Sequence, residues 1–299
     1  MSETIETAFG RFTAGSAKFL RHTATAEPLQ LKLMRRAFRA LDGVDTFFDV
    51  GANLGVYSIF RGNSGACRRM IAFEPGPATF KELSANLDLN FGGTGRVEAH
   101  NAAVSAEPGE AQFDTRRSLG PGARILSREG QKARGEVISV PTVRLDDVIG
   151  EGARDAILKM DVEGHELQAL AGADRTVRNR CAVAQVECWA GKKFRRQQLR
   201  AYMEERGFSL LCRVKGDHIF LHESVHEALA GPLMETYYRH SDDANQLLER
   251  LSLYGVKAEM NPEISARAVK LYNGFEGTKI GAWRRRIDRL AGRKGGRNG

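Results

Sequence analysis

Acids recur at comparable places along this chain. Asp49 lies just ahead of Gly51-Ala-Asn-Leu-Gly55, Glu74 ahead of Pro75, Asp161 and Glu163 ahead of Gly164-His165, and Glu187 ahead of Cys188. Each sits in or just after a short apolar run that reads as a strand. In an open α/β sheet the carboxyl ends of the strands border the crevice where ligands bind. The turn at 51–55 leads from a strand into a helix. Gly51 has no Cβ, which lets backbone come close to a ligand, and the helix's first amides face the crevice. A dinucleotide site wants G-x-G-x-x-G, but position 53 is Asn and the third glycine is missing. Asp49 would also meet a pyrophosphate with like charge. S-adenosylmethionine carries an ammonium, a sulfonium and two ribose hydroxyls but no phosphate, and a carboxylate at Asp49 suits that cation. The competing reading is a tight turn in some other α/β protein.

Glu74 stands 25 positions after Asp49. A carboxylate there reaches the ribose hydroxyls of a nucleoside held on the first loop and accepts two hydrogen bonds, with Pro75 bordering the adenine. NAD sites use an acid in the same way, and an acid capping the next helix is the plainer alternative. Asp161, Glu163 and His165 bring two carboxylates and an imidazole to the same rim. Methyl transfer to a hydroxyl needs the nucleophile aligned with the methyl group and a base for its proton. Asp161 is placed to face the methyl and His165 to act as base, its free pKa being near 6.5. The alternative for His165 is a solvent-exposed residue in a helix's first turn. Asp161 with Glu187 could hold a divalent cation, but only two oxygen ligands are visible and Cys188 suits Mg²⁺ poorly, so no metal is assigned.

The elements that must position these residues follow a βα rhythm. Residues 29–41 form an amphipathic helix, with Leu29, Leu33, Met34, Ala37, Phe38 and Leu41 on one side, Lys32, Arg35, Arg36 and Arg39 on the other, and Pro28 at its start. Strands are predicted at 47–50, 70–73, 96–104, 156–160 and 182–186, and helices at 54–60, 78–91, 166–177 and 194–206. This alternation implies a mostly parallel sheet covered on both faces. Residues 111–115 and 136–140 could pair as a hairpin. The 116–135 loop between them reads as a substrate-side lid or, equally, a mobile surface insertion. Residues 208–214 and 218–222 form an antiparallel pair turned at Lys215-Gly-Asp217. Residues 1–26 read as a loosely packed polar segment, and three helices are expected over 227–240, 242–253 and 262–272.

The 299 residues are 42% hydrophobic and 27% charged, ordinary for a globular protein. No apolar run approaches the roughly 20 residues that span a bilayer. The first 30 residues carry charge throughout and do not read as a signal peptide. Cys67, Cys181, Cys188 and Cys212 have no C-x-x-C spacing and read as small buried residues in a reducing compartment, so a cytoplasmic protein is expected. The net charge of +8 is uneven: residues 279–299 hold eight Lys or Arg against one acid, a surplus of +7, which leaves +1 for the other 278 residues.

Four strings together resemble the FkbM family of S-adenosylmethionine-dependent methyltransferases: Phe48-Asp-Val-Gly-Ala-Asn-Leu-Gly55, Phe73-Glu-Pro75, Asn101-Ala-Ala-Val-Ser105, and Leu158-Lys-Met-Asp-Val-Glu-Gly-His-Glu-Leu167 with Leu170-Ala-Gly172. The match covers about 44–222. The resemblance implies a class I methyltransferase fold, α/β and Rossmann-like, whose doubly wound seven-stranded sheet ends on an antiparallel strand. It implies O-methylation of a hydroxyl on a small molecule, sugar or glycan. It also implies that Asp49, Gly51, Ala52, Asn53 and Gly55 surround the methionine end of the cofactor. Glu74 would take the ribose, with Pro75 beside the adenine and Asn101 approaching it, and Asp161 and Glu163 would border the methyl. The chain then divides into an N-terminal segment and helix (1–43), a methyltransferase domain (44–222), a helical extension (223–272) and a basic tail (273–299). The tail motivates two further readings. One is a methyltransferase acting on RNA or protein; the other is a tethering module in which the tail binds nucleic acid or an anionic membrane.

Overall fold

The computed structural model describes residues 4–7, 10–16, 28–41, 44–63, 67–115, 122–126, 132–152, 154–188 and 193–240. The chain begins with strands Thr4–Thr7 (β1) and Gly10–Thr13 (β2), followed by helix Pro28–Ala40 (α1). The βα units follow: Thr46–Val50 (β3), Val56–Gly62 (α2), Arg69–Phe73 (β4), Pro77–Phe91 (α3) and Val97–His100 (β5). Four short strands come next: Ala103–Val104 (β6), Gly109–Asp114 (β7), Arg124–Ile125 (β8) and Val137–Val143 (β9). The rhythm resumes with Leu145–Val148 (α4), Ala156–Met160 (β10), Glu166–Ala171 (α5), Asp174–Asn179 (α6), Cys181–Glu187 (β11) and Lys193–Glu204 (α7). It closes on Phe208–Val214 (β12), Asp217–His222 (β13) and Glu223–His240 (α8).

Seven strands form the main sheet in the order β12-β13-β11-β10-β3-β4-β5. β3 pairs in parallel with both β4 and β10, and β13 runs antiparallel between β11 and β12, as the resemblance implies. Every residue of β3 and β10 is buried, as continuous apolar runs must be when helices cover both faces. From β3 the chain first winds outward to β4 and β5, then returns to β10 on the other side. The crevice opens at that reversal, over the carboxyl ends of β3 and β10.

Four expectations need correction. The single strand over 96–104 is two, because the chain turns at Asn101 and β6 joins a second sheet, ordered β6-β9-β7-β8. Ala103, Phe113, Ile125 and Val140 form that sheet's core; the hairpin forms as expected, and within the 116–135 loop Arg124–Ile125 pairs with β7 as a short strand. The helix over 166–177 breaks at Gly172, where a Cβ would come within 1.8 Å of the Ser105 carbonyl oxygen. The described residues of the N-terminal segment are packed rather than loose. Asn86 Oδ1 accepts from Thr13 N at 2.8 Å, and Asn90 pairs with both backbone groups of Arg11. Side chains of α3 thus stand in for a neighbouring strand, and Phe12 is buried beneath. The last helix begins at Glu223, four residues early. The expected helices at 242–253 and 262–272, and the basic tail, lie outside the described residues. All four cysteines are buried thiols that form no disulfide. Among the described residues no helix is long and apolar enough to cross a membrane.

Asn86 joins the hairpin to the glycine-bounded turn, since its Nδ2 donates to Leu54 O and Ser16 Oγ, each at 3.0 Å. Asn86→Leu keeps the volume but removes the hydrogen bonds to Leu54 O and Thr13 N, while Ser16 Oγ keeps only Thr13 Oγ1 at 3.0 Å. We expect a loss of about 3 kcal/mol in denaturant titrations. A loss below about 0.5 kcal/mol would show that the hairpin is held by other contacts.

Candidate active site

A cavity of about 290 Å³ lies at the carboxyl ends of β3, β4 and β10. Gly51, Ala52 and Asn53 form one wall, Glu74 and Pro75 the next, Asp161, Glu163 and His165 a third, and Glu187 a fourth. Gly122, Ala123, Arg124 and Ile125 reach it from the second sheet. The first loop is held by its amides, Gly51 N and Ala52 N both donating to Phe73 O. Gly51 has φ 78°, and a Cβ there would come within 1.9 Å of Asp161 O. Glycine is therefore required by the neighbouring strand end before any ligand is considered.

Three expected cofactor residues lie off the cavity wall. Asp49 is buried behind the loop, where Oδ2 accepts from Ser58 N at 3.1 Å and Ser58 Oγ at 2.7 Å. It fastens α2 to β3 through this oxygen. Burial pushes its pKa up, with the Lys159 charge opposing that rise. Gly55 faces Leu83 of α3, and its φ of 84° starts α2. Asn101 Nδ2 donates to Glu74 O at 2.9 Å and Pro75 O at 3.0 Å, so it braces the second loop from below.

Glu74 joins the two loops to the start of the next helix. Oε1 accepts from Gly76 N at 2.9 Å, at the start of α3, and Oε2 accepts from Asn53 N at 3.1 Å, tying the two loops together. Burial pushes its pKa up to about 7. Its two oxygens keep acceptor sites for two further donors.

On the opposite wall, Lys159 Nζ lies 3.4 Å from Asp161 Oδ2. Glu187 is hydrogen-bonded to Asp161, and burial together with the Asp161 charge drives its pKa strongly upward. Glu187 therefore keeps its proton at neutral pH and donates to Asp161. Glu163, at φ 51°, turns back to join them, and ligand atoms of Asp161, Glu163 and Glu187 all lie within 4.8 Å of one another. Such a set could hold a divalent cation, although Lys159 already supplies positive charge there.

His165 is not the exposed residue considered above. It is only 5% exposed and caps α5, with Nε2 3.0 Å from Ser105 Oγ and Nδ1 without a partner among the described residues. Burial, with Arg195 nearby, lowers its pKa to about 4. Sequence reasoning missed Ser105, Lys159, Tyr57 and Gln30. Lys159 left one signal, a lone charge inside the apolar run Ala-Ile-Leu-Lys-Met.

The pattern of the methyltransferase FkbM domain matches residues 49–210, which is 54% of the chain. The chain belongs to this family. It is 28% identical over 267 residues to the 31-O-demethyl-FK506 methyltransferase FkbM of Streptomyces tacrolimicus, covering 77% of this chain and 98% of that protein. It is 30% identical over 130 residues to the hexuronic acid methyltransferase AglP of Haloferax volcanii, covering 43% of this chain and 49% of that protein. Among solved structures, an FkbM methyltransferase from Methylobacillus flagellatus KT superposes with a TM-score of 0.45 at 18% identity, over 61% of this chain and 44% of that one. The chain thus spans about half the length of the latter two. The fold is that of class I methyltransferases, and S-adenosylmethionine is this family's cofactor. The residues present fit it: Asn53 Oδ1 is buried without a partner among the described residues, Glu74 has acceptor sites to spare, and the wall opposite carries negative charge toward a sulfonium.

Gly51→Ala should abolish S-adenosylmethionine binding in calorimetry, because the loop must move away from Asp161. Glu74→Ala should weaken it by about 1–3 kcal/mol. All of the carboxylate's partners are donors, so the ionised form binds. Wild-type affinity should be full above pH 7 and fall by up to about tenfold per unit as pH drops below it. A pH-independent affinity would remove Glu74 from the site.

Proposed function

We propose that the chain O-methylates a hydroxyl on a small molecule, sugar or glycan. When bound, S-adenosylmethionine supplies an electrophilic methyl group. Ala52, Asn53, Glu74 and Pro75 would hold its amino-acid and nucleoside parts, and Asp161 and Glu163 would border the methyl. The reading rests on one observation: an imidazole with an unpartnered nitrogen stands on the same cavity wall as these carboxylates. If Nε2–H donates to Ser105 Oγ, Nδ1 keeps its lone pair and can accept the hydroxyl's proton. The opposite tautomer would bury an N–H without an acceptor, which is costly. The relatives named for hexuronic acid and for a 31-O-demethyl substrate support an oxygen acceptor.

One observation favours a second assignment of the base. With a pKa near 4, His165 offers little driving force as proton acceptor. The Asp161 carboxylate, 29% exposed and next to Lys159, is the other acceptor on the wall. No structural observation bears on the readings built on the basic tail. The wall also includes Gln30 of α1, so the catalytic unit reaches back before residue 44.

His165→Ala should lower turnover by about 10²–10⁴-fold with cofactor affinity nearly unchanged. Because the base must be unprotonated, the wild-type rate at saturating cofactor should be present above pH 5 and lost as pH falls through about 4. Normal turnover in His165→Ala would pass the proton to Asp161.

A further inference from the structure

The cavity has two ends. Glu74 and Pro75 mark the one over β4. The other lies beyond β11, where Asp217 opens β13 directly opposite Glu187. Gln30 of α1 closes this second end, 1% exposed and on the cavity wall. Its Nε2 donates to Asp217 Oδ2 at 3.0 Å. The other oxygen, Oδ1, accepts from Gln185 Nε2 at 2.8 Å, and that same amide nitrogen lies 3.2 Å from Tyr57 Oη. A carboxylate takes only donors, so the Gln30 amide can sit one way round, nitrogen toward Asp217 and oxygen away from it. Among the described residues, Gln30 Oε1 is left buried with no hydrogen-bond partner. A buried carbonyl oxygen in that state carries a free-energy cost that a donor from a ligand would remove.

Building on the O-methyltransferase reading, we propose that Gln30 Oε1 accepts a hydrogen bond from a second hydroxyl of the acceptor, distinct from the one methylated. The acceptor is then a polyhydroxylated compound, a sugar or polyol, and not an isolated alcohol. Asp217, held from two sides, is the positioning residue that fixes the amide's orientation. Gln30 and Asp217 both lie outside the 49–210 match to the family's pattern.

The test uses the full chain and labelled S-adenosylmethionine. Probes are methyl α-D-glucopyranoside, D-glucuronate and D-mannitol, with cyclohexanol and 1-propanol as single-hydroxyl controls. Transfer is expected to polyols only. Gln30→Leu should raise KM for the accepted polyol by about 10–100-fold with cofactor affinity unchanged in calorimetry. One monodeoxy analogue should be a poor wild-type substrate, and the variant should no longer discriminate it from the parent. Asp217→Asn, which frees the Gln30 amide to turn over, should raise KM similarly. Equal losses on the parent and every deoxy analogue would overturn the proposal. So would efficient methylation of the single alcohols, transfer to no polyol, or loss of cofactor binding in both variants. Failure of the wild-type chain to bind S-adenosylmethionine would instead overturn the function on which the proposal rests.

Discussion

The crevice exists because β3 and β10 bring their ends together at Gly51. These neighbours run in the same direction, and the turn leaving β3 must pass the carbonyl of Asp161 at a distance that excludes any Cβ. The passage puts the first loop, with Asn53 at φ 52°, beside the Asp161–Glu163 turn. Glu74 then locks the arrangement from β4 by accepting from Asn53 N. A side chain at 51 would separate these strand ends, and the cavity's walls would no longer face one another. Asn86 transmits the same constraint outward, since the carbonyl it holds belongs to Leu54.

Placing acids at this junction has an electrostatic cost. Asp49, Glu74 and Glu187 all have pKa values raised by burial. Lys159, itself buried, lowers the penalty for Asp49 and Glu74 and touches Asp161. Glu187 resolves its share differently by keeping a proton. The result is a wall that holds negative charge without being a stack of mutually repelling carboxylates, a surface suited to a sulfonium or to a hydroxyl losing its proton. Losing Lys159 would therefore disturb the wall even if that ammonium never met a substrate.

The sheet was legible because strands buried on both faces are mainly apolar, and β3, β4, β10 and β11 are such runs, each broken by only one or two polar residues. The antiparallel end was legible from the Lys215-Gly-Asp217 turn. The N-terminal hairpin was not, since Thr-Ile-Glu-Thr and Gly-Arg-Phe-Thr carry little strand signal and are held by Asn86 and Asn90 from far along the chain. The break at Gly172 depends on the Ser105 carbonyl, which no local pattern reveals. At the site, spacing located the loops but not the directions of side chains. Glu74, Pro75, Asp161, Glu163 and His165 reach the wall, whereas Asp49, Gly55 and Asn101 turn inward to hold the backbone that carries the others.

That division bears on what family membership can say. The motif residues, whether on the wall or behind it, build one half of the cavity, and their geometry is tightly coupled: Asn101 braces Glu74, Glu74 holds Asn53, and Gly51 clears Asp161. The remaining walls come from elsewhere. The second sheet contributes residues 122–125, α1 contributes Gln30, and the β12–β13 turn contributes Lys215, Gly216 and Asp217. Nothing in the motif network dictates the chemistry of those walls, so relatives can keep the same donor half and differ in what they methylate. In this chain that other half holds an amide oriented by a carboxylate, and an amide oxygen with no hydrogen-bond partner among the described residues suits a donor better than an apolar surface.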